Sequence, residues 1–296
     1  MAPIRPRRSV LYMPGANDRA LEKARSLAAD ALILDLEDSV APEAKDEARE
    51  KVVAAVRKGG YGRREVVIRP NALETAWGTA DILAAASAAP DAILVPKVQR
   101  AGDIISAAKI LKSVNVPEKT KLWAMMETPQ AILHAAEIAA VGADPENRLV
   151  CLVMGTNDLL KESRARALHD RFAVVPWLAL TVVAARGYGL DIIDGVYNDF
   201  RDETGFRKEC EQGRTLGMDG KTLIHPSQVA PCNEIFAPTD EEITWSIKII
   251  RTFDEPENVH KGVITVDGKM VERLHLVQAK RTVAIAGAIK EIEDWF

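Results

Sequence analysis

Glu127 and Asp158 each stand just past a short apolar run, Trp123 to Met126 and Leu149 to Met154. Three more acids, Asp35, Glu37 and Asp38, follow Ala31 to Leu34, while Arg69 follows Val66 to Ile68 and Lys97 follows Ile93 to Pro96. Two acids brought together either share a proton or hold a cation. The histidines, His134, His169, His225, His260 and His275, are scattered along the chain, so nothing tips the balance toward zinc or iron. An all-oxygen donor set favours Mg²⁺, which takes one or two protein carboxylates and fills its octahedron with water and substrate oxygens. Glu127 and Asp158 are therefore the expected metal ligands, and Asp35, Glu37 or Asp38 would orient the waters around the ion.

Each acid taken singly also suits a plainer task. Asp158, ahead of Leu159 and Leu160, fits a helix cap. Arg69 is the natural clamp for a substrate carboxylate, because its planar fork matches a carboxylate and stays charged at any relevant pH; it would equally pair with Asp35 or Glu37 at the same rim. Lys97 could form a Schiff base, a mechanism that a metal-ligand pair makes redundant. Arg5, Arg7 and Arg8 precede the first apolar run; such a cluster either meets phosphates or is a solvated terminus.

Converging these groups requires strands whose carboxyl ends share one face. The sequence alternates short β-rich runs with helical stretches: Val10 to Met13, Ala31 to Leu36, Glu65 to Arg69, Ala92 to Pro96, Leu122 to Met126, Leu149 to Met154, Asp191 to Asp194 and Thr222 to Ile224 read as eight strands. Eight such units predict an α/β fold, a TIM (β/α)8 barrel, whose active site opens at the carboxyl ends of the strands. An open nucleotide-binding sheet would carry a glycine fingerprint after its first strand, whereas the turn here reads Pro14-Gly15-Ala16-Asn17. Asn17 or Asp18 is placed to cap a first helix, and Pro42 and Pro129 to occupy first helical turns.

After Pro238 the alternation stops. Asp240 to Phe253 and Leu274 to Ile292 read as helices, and Asp267-Gly268 between apolar residues reads as a tight hairpin turn. The expected organisation is thus a barrel catalytic domain over residues 1–238 and a C-terminal helical and hairpin extension over 239–296, a lid or an oligomer contact.

The chain has 296 residues, 47% of them hydrophobic and 28% charged, with a formal net charge of −4, which offers no basic field for nucleic acid. Cys151, Cys210 and Cys232 are odd in number and widely spaced, so neither a disulfide framework nor a zinc site is indicated, and a reducing, cytoplasmic setting is expected. No stretch approaches the roughly 18 apolar residues of a membrane span.

The motifs, taken in order, resemble one family. Arg8-Ser9-Val10-Leu11-Tyr12-Met13-Pro14-Gly15, Leu34-Asp35-Leu36-Glu37-Asp38-Ser39-Val40, Ile68-Arg69-Pro70-Asn71 with Trp77-Gly78, Val95-Pro96-Lys97, Met126-Glu127-Thr128, Gly155-Thr156-Asn157-Asp158-Leu159, Gly220 to Gln228 and Asp267-Gly268-Lys269-Met270 are similar to those of the citrate lyase β-subunit-like branch of the HpcH/HpaI aldolases. That branch also holds malyl-CoA and citramalyl-CoA lyases. Two departures stand out: Pro70 where members often have Val, and a longer stretch from Gly142 to Arg148.

The resemblance implies a homotrimer or hexamer acting on a CoA thioester and a small 2-oxoacid, with Mg²⁺ on Glu127 and Asp158. Arg69 would clamp the substrate carboxylate, and Asp267 would be the catalytic base, delivered by a neighbouring subunit's tail. The expected reaction is reversible carbon–carbon cleavage of a 3-hydroxyacyl-CoA to acetyl-CoA and glyoxylate or pyruvate. The alternatives are a citrate lyase β subunit acting on a carrier-bound citryl thioester, a malyl-CoA thioesterase using the same site, and a non-catalytic barrel that binds CoA esters.

Overall fold

The computed structural model describes residues 4–166 and 170–295; His169 lies outside them. Eight parallel strands, β1 (Ser9–Pro14), β2 (Ala31–Asp35), β3 (Glu65–Arg69), β4 (Ala92–Val95), β5 (Lys121–Met126), β6 (Leu149–Met154), β7 (Asp191–Asp194) and β8 (Gly220–Leu223), close into a barrel in chain order, with β8 pairing back to β1. Because successive residues of a strand face opposite ways, the barrel residues sort into two layers. Val10, Ala31, Ile33, Val67, Leu94, Trp123, Met125, Cys151, Val153 and Ile193 fill the interior. Leu32, Leu34, Ile68, Ile93, Ala124, Leu152 and Leu223 face outward and pack with helix residues such as Val52, Ile104 and Leu178; Cys210 and Cys232 belong to this outer layer. All three cysteines are buried free thiols.

Local chemistry explains the helix starts. The Asn17 side chain accepts from Ala20 N at 3.1 Å, and Thr128 accepts from Ala131 N at 3.0 Å ahead of Pro129. Pro42 opens a short turn that leads into the helix Lys45–Lys58.

Two of the three leading arginines depart from a solvated terminus. Arg7 and Arg8 are buried at the amino-terminal floor of the barrel. Arg7 bonds Glu65 through Nε at 2.7 Å and Nη2 at 2.9 Å, pairs with Asp191, and lies 5.0 Å from the Trp123 ring. Arg8 takes Asp30 through its backbone N, Nε and Nη2. The inward faces of β3 and β7 place Glu65 and Asp191 where Arg7 enters, so ion pairing claims these cations.

The barrel forms one compact unit, Arg7–Phe236; Ala237–Phe296 with Met1–Pro6 forms another. In the second unit, helices Asp240–Asp254 and Arg273–Glu293 pack with an antiparallel hairpin of β9 (Val263–Val266) and β10 (Lys269–Glu272) around Ile249, Phe253, Ile264, Val266 and Leu276. Thr239 and Glu242 cap the first of these helices reciprocally, at 3.2 and 2.8 Å. Among the described residues no helix is long and apolar enough to cross a membrane.

Candidate active site

The alternation that sends Ala31 and Ile33 inward also sends Asp35 inward, one step past the apolar layers, and it does the same for Arg69 beyond Val67 and Glu127 beyond Met125. Asp35 and Arg69 are register partners on adjacent strands. Their side chains meet in a bidentate pair, Arg69 Nε to Asp35 Oδ1 at 2.7 Å and Nη2 to Oδ2 at 2.9 Å. Asp35 also accepts from the backbone N–H groups of Glu37 at 2.9 Å and Ser39 at 3.1 Å. Burial works to raise the Asp35 carboxyl, but the Arg69 charge and these hydrogen bonds outweigh it and hold the group below its ordinary value.

The remaining arm of Arg69, Nη1, lies 2.9 Å from Glu37 Oε2 and 3.2 Å from Asp38 Oδ2, and the guanidinium sits 4.8 Å from the Tyr12 ring. The question of which acids support Arg69 thus has a geometric answer: Asp35 fixes the fork from below, and Glu37 and Asp38 hold its outer arm. Burial pushes the Glu37 carboxyl up to about 7 against the pull of Arg69.

Glu127 and Asp158 occupy the opposite side. Glu127 is buried; its Oε1 accepts the backbone N–H of Lys97 at 2.7 Å, while its Oε2 is buried with no hydrogen-bond partner. Gly155 makes room for it, since a Cβ there would fall 2.3 Å from Glu127 Cβ and 3.0 Å from Oε2. Burial, with Glu37 nearby, pushes the Glu127 carboxyl up to about 8, while Asp158 is held below its ordinary value because Lys97 and Glu127 outweigh its own burial.

Lys97 is what sequence reasoning underused. It adopts a left-handed backbone, φ +52°, which turns its N–H onto Glu127. Its Nζ pairs with Asp158 and lies 3.5 Å from Glu127 Oε2. Burial disfavours the ammonium, but Glu127 and Asp158 prevail and raise it to about 12. Paired with Asp158 and close to Glu127, the Lys97 ammonium acts here as a counter-ion to the two carboxylates.

These groups open on a cavity of about 290 Å³ lined by Tyr12, Asp35, Arg69, Glu127, Thr156, Asp158 and Thr222 among others. Tyr12 and Thr222 stood within the motifs quoted above but had no task assigned to them. Asp267 is in the other unit. It forms with Gly268 a two-residue turn in which both φ angles are positive, +50° and +75°, and its half-exposed carboxylate pairs with Lys248. The hairpin reading of Asp-Gly holds for this turn.

The family model described as HpcH/HpaI aldolase/citrate lyase matches residues 8–226. A (3S)-malyl-CoA thioesterase of Cereibacter sphaeroides is 51% identical over 284 residues, 96% of this chain and 96% of that protein. The human mitochondrial citramalyl-CoA lyase is 32% identical over 296 residues, 97% of this chain and 87% of its own. Among solved structures, the protein CitE from Mycobacterium tuberculosis in complex with magnesium, acetoacetate and coenzyme A is similar, with a TM-score of 0.74, 27% identity, and coverage of 95% of this chain and 98% of that one.

The ranking of these likenesses corrects the expectation of carbon–carbon cleavage. The relative identical at about half of the aligned positions is a thioesterase, and the lyase is identical at 32%. The physical reason the residues misled is that carboxylates and an arginine fork around an open cavity suit either reaction, so the groups at the mouth do not tell a carbon nucleophile from water.

Proposed function

Because the chain belongs to the HpcH/HpaI aldolase/citrate lyase family, we propose that this enzyme is a thioesterase of the (3S)-malyl-CoA type. It adds water to the thioester carbonyl of a short hydroxydicarboxylic acyl-CoA, breaks the C–S bond, and releases the free acid and CoA thiol. The observation that carries this reading is the likeness, along nearly the whole chain, to (3S)-malyl-CoA thioesterases. The cavity suits the substrate: a fixed guanidinium and a pair of carboxylates face each other across a space of about 290 Å³, enough for a small acyl group.

Mg²⁺ fits the Glu127 and Asp158 pair. Both donors are hard oxygens, and the buried Glu127 Oε2 has no hydrogen bond. Among the described residues no three acids, histidines or cysteines gather as a ligand cluster, so the protein would supply two carboxylates and leave the other positions to water and substrate oxygens. When bound, the ion supplies Lewis acidity toward substrate oxygens. The residues themselves do the rest. Arg69, locked by Asp35, binds the acyl carboxylate and sets which carbonyl faces the metal-ligand side. Lys97 orients Glu127 through its backbone N–H. Asp267, an exposed carboxylate on a tight turn, takes the proton of the attacking water in an assembly where the tail of another copy, in a trimer or hexamer, supplies it.

The test is incubation of the purified protein with (3S)-malyl-CoA and Mg²⁺, reading free thiol and products by mass. Malate and CoA are expected in equal amounts, with loss of turnover on chelation and in Asp267→Asn. Acetyl-CoA with glyoxylate would sink the reading.

A further inference from the structure

We propose that Lys45, buried behind the barrel mouth, is a positioning residue that fixes the turn after β2 so that Glu37 and Asp38 hold Arg69 in its cavity-facing pose. This rests on the reading of Arg69 as the carboxylate clamp. Lys45 is 6% exposed, and its Nζ donates to Leu36 O at 2.9 Å, Glu37 O at 2.6 Å and Asn71 Oδ1 at 2.7 Å. An ammonium that merely neutralised an acid would sit against a carboxylate. Here all three protons go to neutral oxygens, two of them consecutive carbonyls of one turn.

A tetrahedral donor bonded to two successive carbonyls fixes the orientation of the peptide between them, and that peptide leads directly into the side chains on Arg69 Nη1. The same turn is tied from its other side, where Leu36 N donates to Arg69 O at 2.9 Å and Asn71 Nδ2 donates to Leu36 O at 2.9 Å. Asn71 is itself fixed, since its backbone N donates to Asp81 Oδ2 at 3.0 Å and Arg49 Nε holds Asp81 Oδ1 at 2.6 Å. Arg49 lies one turn beyond Lys45 on the helix Lys45–Lys58, so the tie closes on the element where it began. The Trp77 ring faces the ammonium at 5.6 Å. Asn71 and Trp77, prominent in the sequence without an assigned task, thereby acquire one.

Without Lys45, Asp35 still grips Nε and Nη2, but the outer arm of Arg69 loses a fixed partner. The expected signature is weaker substrate capture rather than a lost chemical step. Lys45→Met keeps the aliphatic stem and removes the three donors. It should raise KM for (3S)-malyl-CoA about tenfold, the lower end of what supporting partners of a site cost, with kcat changed less. Asp38→Asn should raise KM by a smaller factor, and the effect of Lys45→Met should shrink in the Asp38→Asn background because both act on Nη1.

Arg69→Lys is the reference. If Arg69→Lys raises KM while Lys45→Met leaves it unchanged and lowers kcat only in proportion to folded protein, the positioning role is overturned and the clamp stands. If Arg69→Lys leaves KM unchanged, the clamp itself falls. Should Lys45→Met not fold, Asp38→Asn decides: an unchanged KM overturns the proposal.

Discussion

The two ends of the barrel are built by the same device and finished differently. On β3, Glu65 and Arg69 are four residues apart on the same inward face, one at the floor and one at the mouth. At the floor, Arg7 spends its fork on Glu65 and Asp191, and Arg8 closes on Asp30. At the mouth, Arg69 is similarly gripped by Asp35, with Glu37 and Asp38 on its outer arm, yet Glu127 Oε2 is buried without a hydrogen bond. The charges of the floor are paired among themselves, whereas the mouth keeps unspent acceptor capacity on Glu127 beside a cavity. Saturation makes a buried charge structural, and incomplete saturation beside a cavity makes it available to a ligand.

The sharpest way to break this contrast is at the floor. Arg7→Met takes a buried cation from Glu65 and leaves Asp191 with Arg186 but without Arg7, and should cost about 3–5 kcal/mol of stability, read by urea denaturation. The kcat of the remaining folded enzyme should be unchanged; a fall in kcat would mean the floor is coupled to chemistry. At the mouth the pattern inverts. Glu127→Gln should lower kcat/KM by about 100-fold or more and weaken Mg²⁺ binding in a calorimetric titration. Its denaturation midpoint should fall little, because burial already disfavours the charged carboxyl.

The smallest effect concerns pH. In the metal-free protein the Glu37 carboxyl sits at about 7, above its ordinary value, so the folded state binds its proton more tightly than the unfolded chain does. That contribution is fully present below the ordinary carboxyl range and is lost as pH rises through about 7. Denaturation midpoints measured at pH 5 and pH 8 should differ less in Glu37→Gln than in the parent protein. An identical difference would show that Glu37 is not held in the environment described.

Most strands were legible because they end in a charge after an apolar run; observed bounds differ from the expected ones by at most two residues, as with Gly220–Leu223 against Thr222 to Ile224. Helix starts were less so. The helix Val175–Gly187 carries Pro176 in its first turn, and Glu203–Leu216 starts where Asp202 accepts from Gly205 N at 2.9 Å, local caps that no apolar run announces. Glu127, Asp158 and Arg69 stood out by type and position. Their partners did not: the tie from Lys45 through Asn71 and the turn of Lys97 onto Glu127 depend on contacts between residues 26 and 30 positions apart. The reaction was not singled out either: thioester hydrolysis stood only among the alternatives, since water and an enolate would meet the same residues.

The three cysteines have a practical consequence. Cys151 sits in the barrel interior, Cys210 and Cys232 beneath the surrounding helices, all fully shielded from solvent, and burial pushes the Cys151 and Cys232 thiols up. A thiol in this condition is inert until the structure around it opens. Alkylation under native conditions, resolved by peptide, therefore gives the molecule an internal clock: Cys210 and Cys232 report departure of the helical jacket, Cys151 reports rupture of the staves, and the interval between them measures whether the barrel fails in one event or two.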